Sequence, residues 1–217
     1  MEDLKSLGLP LEVVSEDGNT YTMLPMEASP ENIDFLWETA GQYKFLFSDD
    51  TFKDKDHFVR YILSPAVTIL TLFVHGEESN ESIGVLYIDR VALGQSARMH
   101  YLFWDRIQKG RHRVLLTFIK WAFTEFELHR IHIEIPKHAY AALRRMHRMG
   151  VRLEGILREA FVYNSRWTDL YIFGVLESEI TSYDTEKVKL HRTRTEDSWF
   201  GLLDNDTALA HAVLKER

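Results

Sequence analysis

The sequence predicts an α/β protein in which helices are layered on an extended mixed sheet, and three observations carry that prediction. The first is the stretch from Arg98 to Leu128. Its opening run RMHYLFW (Arg98 to Trp104) is aromatic and apolar enough for a buried strand, Gly110 sits in the basic turn that follows, and Val114 to Leu128 reads as a helix. Polar residues in that helix fall at Thr117, Lys120, Thr124 and Glu127, one narrow wet stripe on an otherwise apolar cylinder, so most of its surface is expected to be buried. The second is Arg130 to Ile135, where Ile131, Ile133 and Ile135 alternate with Arg130, His132 and Glu134 to give a strand with one polar face. The third is the order of elements along the chain: strand, helix, helix, three strands, helix, strand, helix, two strands, the succession of a layered α/β domain.

In chain order, Met1 to Asn19 is a lead-in without a clear pattern, and Tyr21 to Met26 is a first strand ending near Pro25. Ser29 is placed to cap a helix whose first turn holds Pro30, whose apolar residues Ile33, Leu36, Trp37 and Ala40 repeat along one face, and which Gly41 closes. A second short helix, about Lys55 to Leu63, puts Phe58, Tyr61 and Ile62 on one side and stops at Ser64-Pro65. Strands are expected at about Val67 to Val74 and Ser82 to Val91, joined by the polar turn His75 to Asn80. After the strand at Arg130 to Ile135, Pro136 leads into a helix in which Ala139, Ala142, Leu143, Met146 and Met149 face inward and Arg144, Arg145, His147 and Arg148 form a basic face, with Gly150 at its end. Two last strands, about Val151 to Tyr163 and Asp169 to Glu177, flank the turn Asn164 to Thr168. From Ser178 the composition turns polar and charged, with Trp199-Phe200 and a short helix capped by Asp206 beyond. The division is therefore a lead-in over 1–19, a body over 20–179 and an appendage over 180–217, too short for a core of its own and expected to dock on the body or on a partner.

Composition bounds the function. The formal charge of −7 argues against a general nucleic-acid or anionic-membrane binder, and the absence of cysteine removes disulfides, thiolate metal sites and cysteine nucleophiles and fits a cytoplasmic protein. The acidic N-terminus has no apolar run of the signal-peptide kind, and no segment reaches the length of a membrane span. The ten histidines do not make a metal site: His129 and His132 stand three apart across a helix-to-strand junction, where they do not converge on one ion, so no metal is expected. The basic turn around Gly110 has two readings. It is a phosphate cradle, because a helix N-terminus presents unpaired N–H groups and the positive end of its dipole, or it is a plain strand-to-helix connection with solvated lysines and arginines.

The segments ELHRIHIEI (Glu127 to Ile135), the helix end Arg148-Met149-Gly150, RLEGILREA (Arg152 to Ala160) and RWTDLYIFGVL (Arg166 to Leu176) carry a resemblance. From about Thr20 to Glu179 the chain resembles the GNAT superfamily of acyl-CoA N-acyltransferases, and within it the Rim-type branch that acetylates N-terminal amines of ribosomal proteins and related small amines. The resemblance implies a mixed, mostly antiparallel sheet splayed between its fourth and fifth strands, with helices on both faces. It also implies acetyl-CoA as co-substrate, lying in the splay with its pyrophosphate on the helix after the fourth strand. Cofactor contacts are then implied for the backbone of Leu102, Phe103 and Trp104, for Gln108, Lys109, Gly110, Arg111, His112 and Arg113, and for Ala139. This chain departs from the pattern: the cradle positions are Ile107, Gln108, Lys109, Gly110, Arg111 and His112, keeping only the central glycine, and an imidazole stands where the family has almost no side chain. The family's asparagine near the pantetheine falls on Ala139, and the tyrosine many members use as general acid falls on Met146.

Two readings follow. In one the chain is a working N-acetyltransferase in which Lys109, Arg111, His112 and Arg113 supply charge to the cofactor phosphates. In the other it is a catalytically inactive GNAT-fold protein with a structural or partner-binding role, as a homo-oligomer or through its C-terminal tail. Amine attack on a thioester needs a base and oxyanion donors. Backbone N–H groups at Leu102 to Trp104 are the expected donors, and Glu134 and His100 the expected bases, with Tyr101 and Asp89 behind them. The plain alternatives are a sheet carboxylate paired with Arg130 or His132, and a structural histidine in an aromatic strand. The acceptor is an amine, a small molecule or a protein N-terminus. Trp37, Phe45, Phe47 and Phe52 are expected on its side of the site or in the core, and Trp199 and Phe200 at an interface.

Overall fold

The computed structural model describes residues 9–15, 18–47, 50–64, 67, 71–76, 82–104, 110–149 and 151–180. Ile107, Gln108, Lys109, Trp199 and Phe200 lie outside the described residues, as does the tail from 181.

The chain begins with a strand that its sequence does not announce. Leu11–Val14 (β1) pairs antiparallel with Thr20–Pro25 (β2), and Gly18 takes the turn between them at φ 85°. Only Val13 of the four residues of β1 is buried, so no period-two signal stands out. Helix α1, Pro30–Gly41, starts where Ser29 in extended backbone accepts the Asn32 N–H, with Pro30 in the first turn, and buries Ile33, Leu36 and Ala40. Helix α2, Lys55–Ile62, is capped by Asp54, which accepts the His57 N–H at 2.7 Å, and buries Phe58 and Ile62.

Leu72–Gly76 (β3) starts later than the sequence suggests, and just before it the Thr71 hydroxyl donates to Val67 O at 2.7 Å. Ser82–Ala92 (β4) and Ser96–Phe103 (β5) follow. Arg111–Glu125 (α3) is the buried helix expected from its narrow polar stripe, with Val114, Leu115, Phe118, Ile119 and Ala122 all inaccessible to solvent. Arg130–Pro136 (β6), Tyr140–Arg148 (α4), Arg152–Tyr163 (β7), Arg166–Leu176 (β8) and the single turn Glu177–Ile180 (α5) complete the chain.

The eight strands make one sheet in the order β1-β2-β3-β4-β5-β6-β8-β7. All neighbours are antiparallel except β5 and β6, which α3 joins as a parallel crossover. The sheet separates two apolar clusters. Odd-numbered residues of β5 and β6 (Ala97, Met99, Ile131, Ile133, Ile135) pack with α3 and α4, while Leu102 of β5 and Val85 and Tyr87 of β4 pack on the other face with Ile33, Leu36, Phe58 and Ile62 of α1 and α2. Helices therefore cover both faces, as the α/β reading requires. No helix of the described residues is long and apolar enough to cross a membrane.

Candidate active site

The site originates in a short ladder. Strands β5 and β6 pair only at Ser96↔Arg130, Ala97↔Ile131 and Arg98↔His132, yet β5 continues to Phe103 along β4 and β6 continues to Pro136 along β8. Past Arg98 and His132 the two strands part, and a cleft of about 570 Å³ opens between them.

Backbone alternation decides which amides face this gap. The Trp104 N–H donates to Ile83 O at 3.2 Å, so Ile83/Trp104 is a hydrogen-bonded pair of the β4–β5 ladder. In an antiparallel ladder such pairs recur every second residue, so Leu102 also spends its N–H on β4. The N–H groups turned into the gap are those of Tyr101 and Phe103. This changes the expectation drawn for Leu102 to Trp104: Phe103 keeps its place, Trp104 and Leu102 give theirs to the sheet, and Tyr101 enters. The Trp104 indole is likewise used, donating to Ser82 O at 2.7 Å.

Because side chains alternate across the sheet, the cleft has two halves. The half toward α3 and α4 is lined by Tyr101, Phe103, Arg111, Ala139, Ala142 and Arg145, and the half toward α1 by Tyr43, Phe47, His100 and Glu134. His100 and Glu134 thus share one half, while Ala139 and Arg111 share the other. Of the aromatic residues expected on the acceptor side, Phe47 lines the cleft, whereas Trp37 and Phe52 stack on each other (5.8 Å between centroids) and pack on Phe58 in the core. The side chain of Phe45 lies outside the described ones.

A buried polar cluster stands at the point where the strands part. Arg98, only 2% exposed, donates from Nε to Asp89 Oδ1 (2.8 Å), from Nη2 to Asp89 Oδ2 (2.5 Å) and from Nη1 to Glu134 Oε2 (3.1 Å), tying β4 and β6 together across β5. Tyr61 of α2 donates its hydroxyl to Asp89 Oδ2 at 2.8 Å, and His100 Nε2 lies 3.2 Å from Asp89 Oδ1. Burial alone would raise the Asp89 carboxyl, but the hydrogen bonds and charges of Arg98 and His100 hold it well below the usual carboxylate range. Burial likewise lowers the neighbouring His132 imidazole, against the opposing pull of Glu134, whose Oε1 is 3.9 Å from His132 Nε2. The sequence offered Arg130 or His132 as a partner of Glu134; Arg130 instead makes a two-pronged ion pair with Glu154 of β7, while Arg98 holds Glu134 and His132 stands beside it. Arg98 was not legible as a site residue, although an arginine inside a buried strand is itself a signal, since a buried guanidinium requires anionic partners.

At the mouth of the cleft, α3 begins on Gly110 without a side-chain cap, and its first turn holds Arg111, His112 and Arg113 and no acidic residue. Positive side chains there oppose the helix dipole, and no side chain caps this end. Arg111 leans over the Phe103 ring (5.7 Å) and lines the cleft, while Arg113 turns away and donates to Val14 O of β1 at 3.0 Å. His112 is half-buried. Gly110 is buried for a reason the sequence does not reveal: a Cβ there would stand 2.3 Å from the Tyr21 ring and 3.1 Å from Ser15 Cβ. Gly110→Ala is therefore expected to lower stability by about 1–3 kcal/mol through overpacking, measured by urea denaturation; an unchanged midpoint would show that Tyr21 yields freely.

The Tyr101 hydroxyl is buried and makes no hydrogen bond of ordinary geometry among the described residues, although the Arg145 guanidinium acts on it. Burial pushes its pKa up to about 12 against the opposing charges of Arg145 and Arg111, so it stays protonated at neutral pH. Arg145 comes from the basic face of α4, whose Arg144 is exposed. Met146, where the resemblance would place a tyrosine acid, is fully buried in the core.

No protein-family model matches the chain, and no curated protein matches it either. Solved structures do. The spermidine N-acetyltransferase SpeG from Vibrio cholerae, in complex with CoA and spermine, is similar with a TM-score of 0.63 at 20% identity, over 75% of this chain and 98% of its own. A probable acetyltransferase of the GNAT family from Chromobacterium violaceum gives a TM-score of 0.61 at 20% identity, over 80% of this chain and 92% of its own. A chimera of the Vibrio cholerae enzyme and hSSAT gives 0.64 at 16%, over 75% and 99%. At these identities the likeness is one of fold. The chain has the α/β fold of the GNAT acetyltransferases, its mostly antiparallel sheet parted between β5 and β6.

Proposed function

We propose that the chain is an acetyl-CoA-dependent N-acetyltransferase acting in the cytoplasm on a primary amine, either a small amine or a protein N-terminus of the kind the Rim-type branch modifies. The observation that carries this is the parting of β5 from β6, which leaves the N–H groups of Tyr101 and Phe103 facing a cleft that runs to the N-terminus of α3. The residues present fit acetyl-CoA. The half of the cleft toward α3 and α4 offers donors and cations: two amides, the buried Tyr101 hydroxyl without a well-formed bond, and the guanidinium groups of Arg111 and Arg145. A ligand made of amide carbonyls and phosphates is a chain of acceptors and negative charges.

Bound there, acetyl-CoA supplies an acetyl group activated as a thioester. The Tyr101 and Phe103 amides hold the thioester carbonyl and stabilise the negative charge that develops on its oxygen, a contribution of about 3–4 kcal/mol per donor in sites of this type. Ala139 leaves room beside the pantetheine, and Arg111, with Lys109 and the first-turn amides of α3, takes the phosphates. His100 and Glu134 stand on the opposite half, where the amine enters, and are the two candidate bases for its proton. Leu102, Trp104 and Arg113 then serve the fold around the site.

The test is to incubate the full chain with acetyl-CoA and two acceptor sets, small primary amines and peptides with free N-termini, reading thiol release and the mass of the product. Acetylated product from either set, dependent on the protein, is the expected result. A chain that binds acetyl-CoA and acetylates nothing would favour the second reading, a non-catalytic GNAT-fold protein, which the loss of the α4 tyrosine at Met146 supports.

A further inference from the structure

The geometry points to Asp89 as a positioning residue that fixes the tautomer of His100, making His100 Nδ1, and not Glu134, the base that deprotonates the amine; this rests on the acetyltransferase reading above. Asp89 is 4% exposed and receives a donor at every turn: Arg98 Nε and His100 Nε2 at Oδ1, Arg98 Nη2 and the Tyr61 hydroxyl at Oδ2. A carboxylate so placed only accepts. The His100 nitrogen 3.2 Å from it therefore carries the hydrogen, and neutral His100 keeps its lone pair on Nδ1. The ring cannot turn cheaply, because it is stacked on Tyr87 at 4.4 Å and 9°. His100 lines the cleft. Glu134 also lines it, but one of its oxygens is taken by Arg98 and the other faces His132. Its work is to fasten Arg98, and through Arg98 the Asp89 carboxylate, at the place where the sheet opens.

The proton balance closes with these groups. An ammonium entering the cleft gives one proton to His100 Nδ1, and the imidazolium so formed is held by the negative charge of Asp89. The neutral amine forms its C–N bond at the thioester carbon, the C–S bond breaks, the second amine proton ends on the departing sulfur, and His100 returns its own proton to solvent. Among the described residues, the charged and titratable groups around His100 include Asp89 and Tyr87 on β4, Arg98 on β5, Glu134 and His132 on β6, Tyr61 on α2 and Tyr43 of the cleft wall.

The experiment has a spectroscopic arm and a kinetic arm. In the full chain labelled with ¹⁵N-histidine, long-range proton–nitrogen spectra at neutral pH are expected to show His100 as the Nε2–H tautomer, and as a mixture in Asp89→Asn. That variant is expected to lose about 100-fold in kcat with the KM for acetyl-CoA unchanged. If Asp89→Asn does not fold, His100→Gln carries the kinetic arm and is expected to lose at least about 100-fold in kcat with the KM for acetyl-CoA unchanged. An Nδ1–H tautomer in the parent, or an unchanged kcat in either variant, overturns the proposal. A parent that acetylates no amine refutes the acetyltransferase reading instead, and the tautomer is still judged from the spectrum.

Discussion

Replacing Arg98 by methionine (Arg98→Met) is expected to lower the stability of the fold by about 3–5 kcal/mol at neutral pH, the usual cost of removing one partner from a buried ion cluster. Arg98 is 2% exposed and is the shared cation of Asp89 and Glu134, so its loss takes the positive charge away from two carboxylates, one on β4 and one on β6. Urea denaturation across pH reads the effect. In the parent, the folded Asp89 carboxyl is held below its unfolded value of about 3.9, so its contribution is fully present above that value and is lost as pH falls through the folded one. Without Arg98, burial is opposed only by His100 and Tyr61, and the advantage disappears. The gap between parent and variant is therefore largest near pH 7 and narrows as the solution is made acidic. Equal stability at pH 7 would contradict this account of the cluster.

Ala139→Phe should do the reverse, sparing the fold and closing the site. Ala139 is 8% exposed and forms part of the cleft wall between β6 and α4. A phenyl ring there fills cleft space beside the buried core that Ala139 also joins, so the fold should be kept with stability lowered by about 1–2 kcal/mol. Acetyl-CoA binding should fall roughly 100-fold or more, equivalent to about 2.8 kcal/mol. Undiminished binding in this variant would place the ligand somewhere other than between the parted strands.

These two positions show what the sequence can and cannot disclose. Periodicity made α3 and β6 readable, because burial of a helix on most sides and of a strand on one face leaves marks within a few residues: the stripe Thr117, Lys120, Thr124 and the alternation Arg130, His132, Glu134. Ser29 and Pro30 likewise announced α1 locally. What stayed hidden depends on partners distant in the chain. Arg98 reads as an odd polar residue in an apolar strand until Asp89 and Glu134, 9 and 36 positions away, are brought beside it. Gly110 suggested a ligand in the sequence and meets the Tyr21 ring in the structure, a contact spanning the sheet and helix. The direction of each amide on β5 needed the register with β4, which no composition or spacing reports. Strand β1 is too short, with one buried side chain, to show any period.

The most direct test of the central claim, that the cleft between β5 and β6 holds acetyl-CoA, is calorimetric titration of the full chain with acetyl-CoA, with Ala139→Phe and His112→Gly in parallel. Saturable micromolar binding by the parent, lost in Ala139→Phe and retained or tightened in His112→Gly, is the predicted result. A folded parent that takes up no acetyl-CoA, with His112→Gly equally silent, would contradict it.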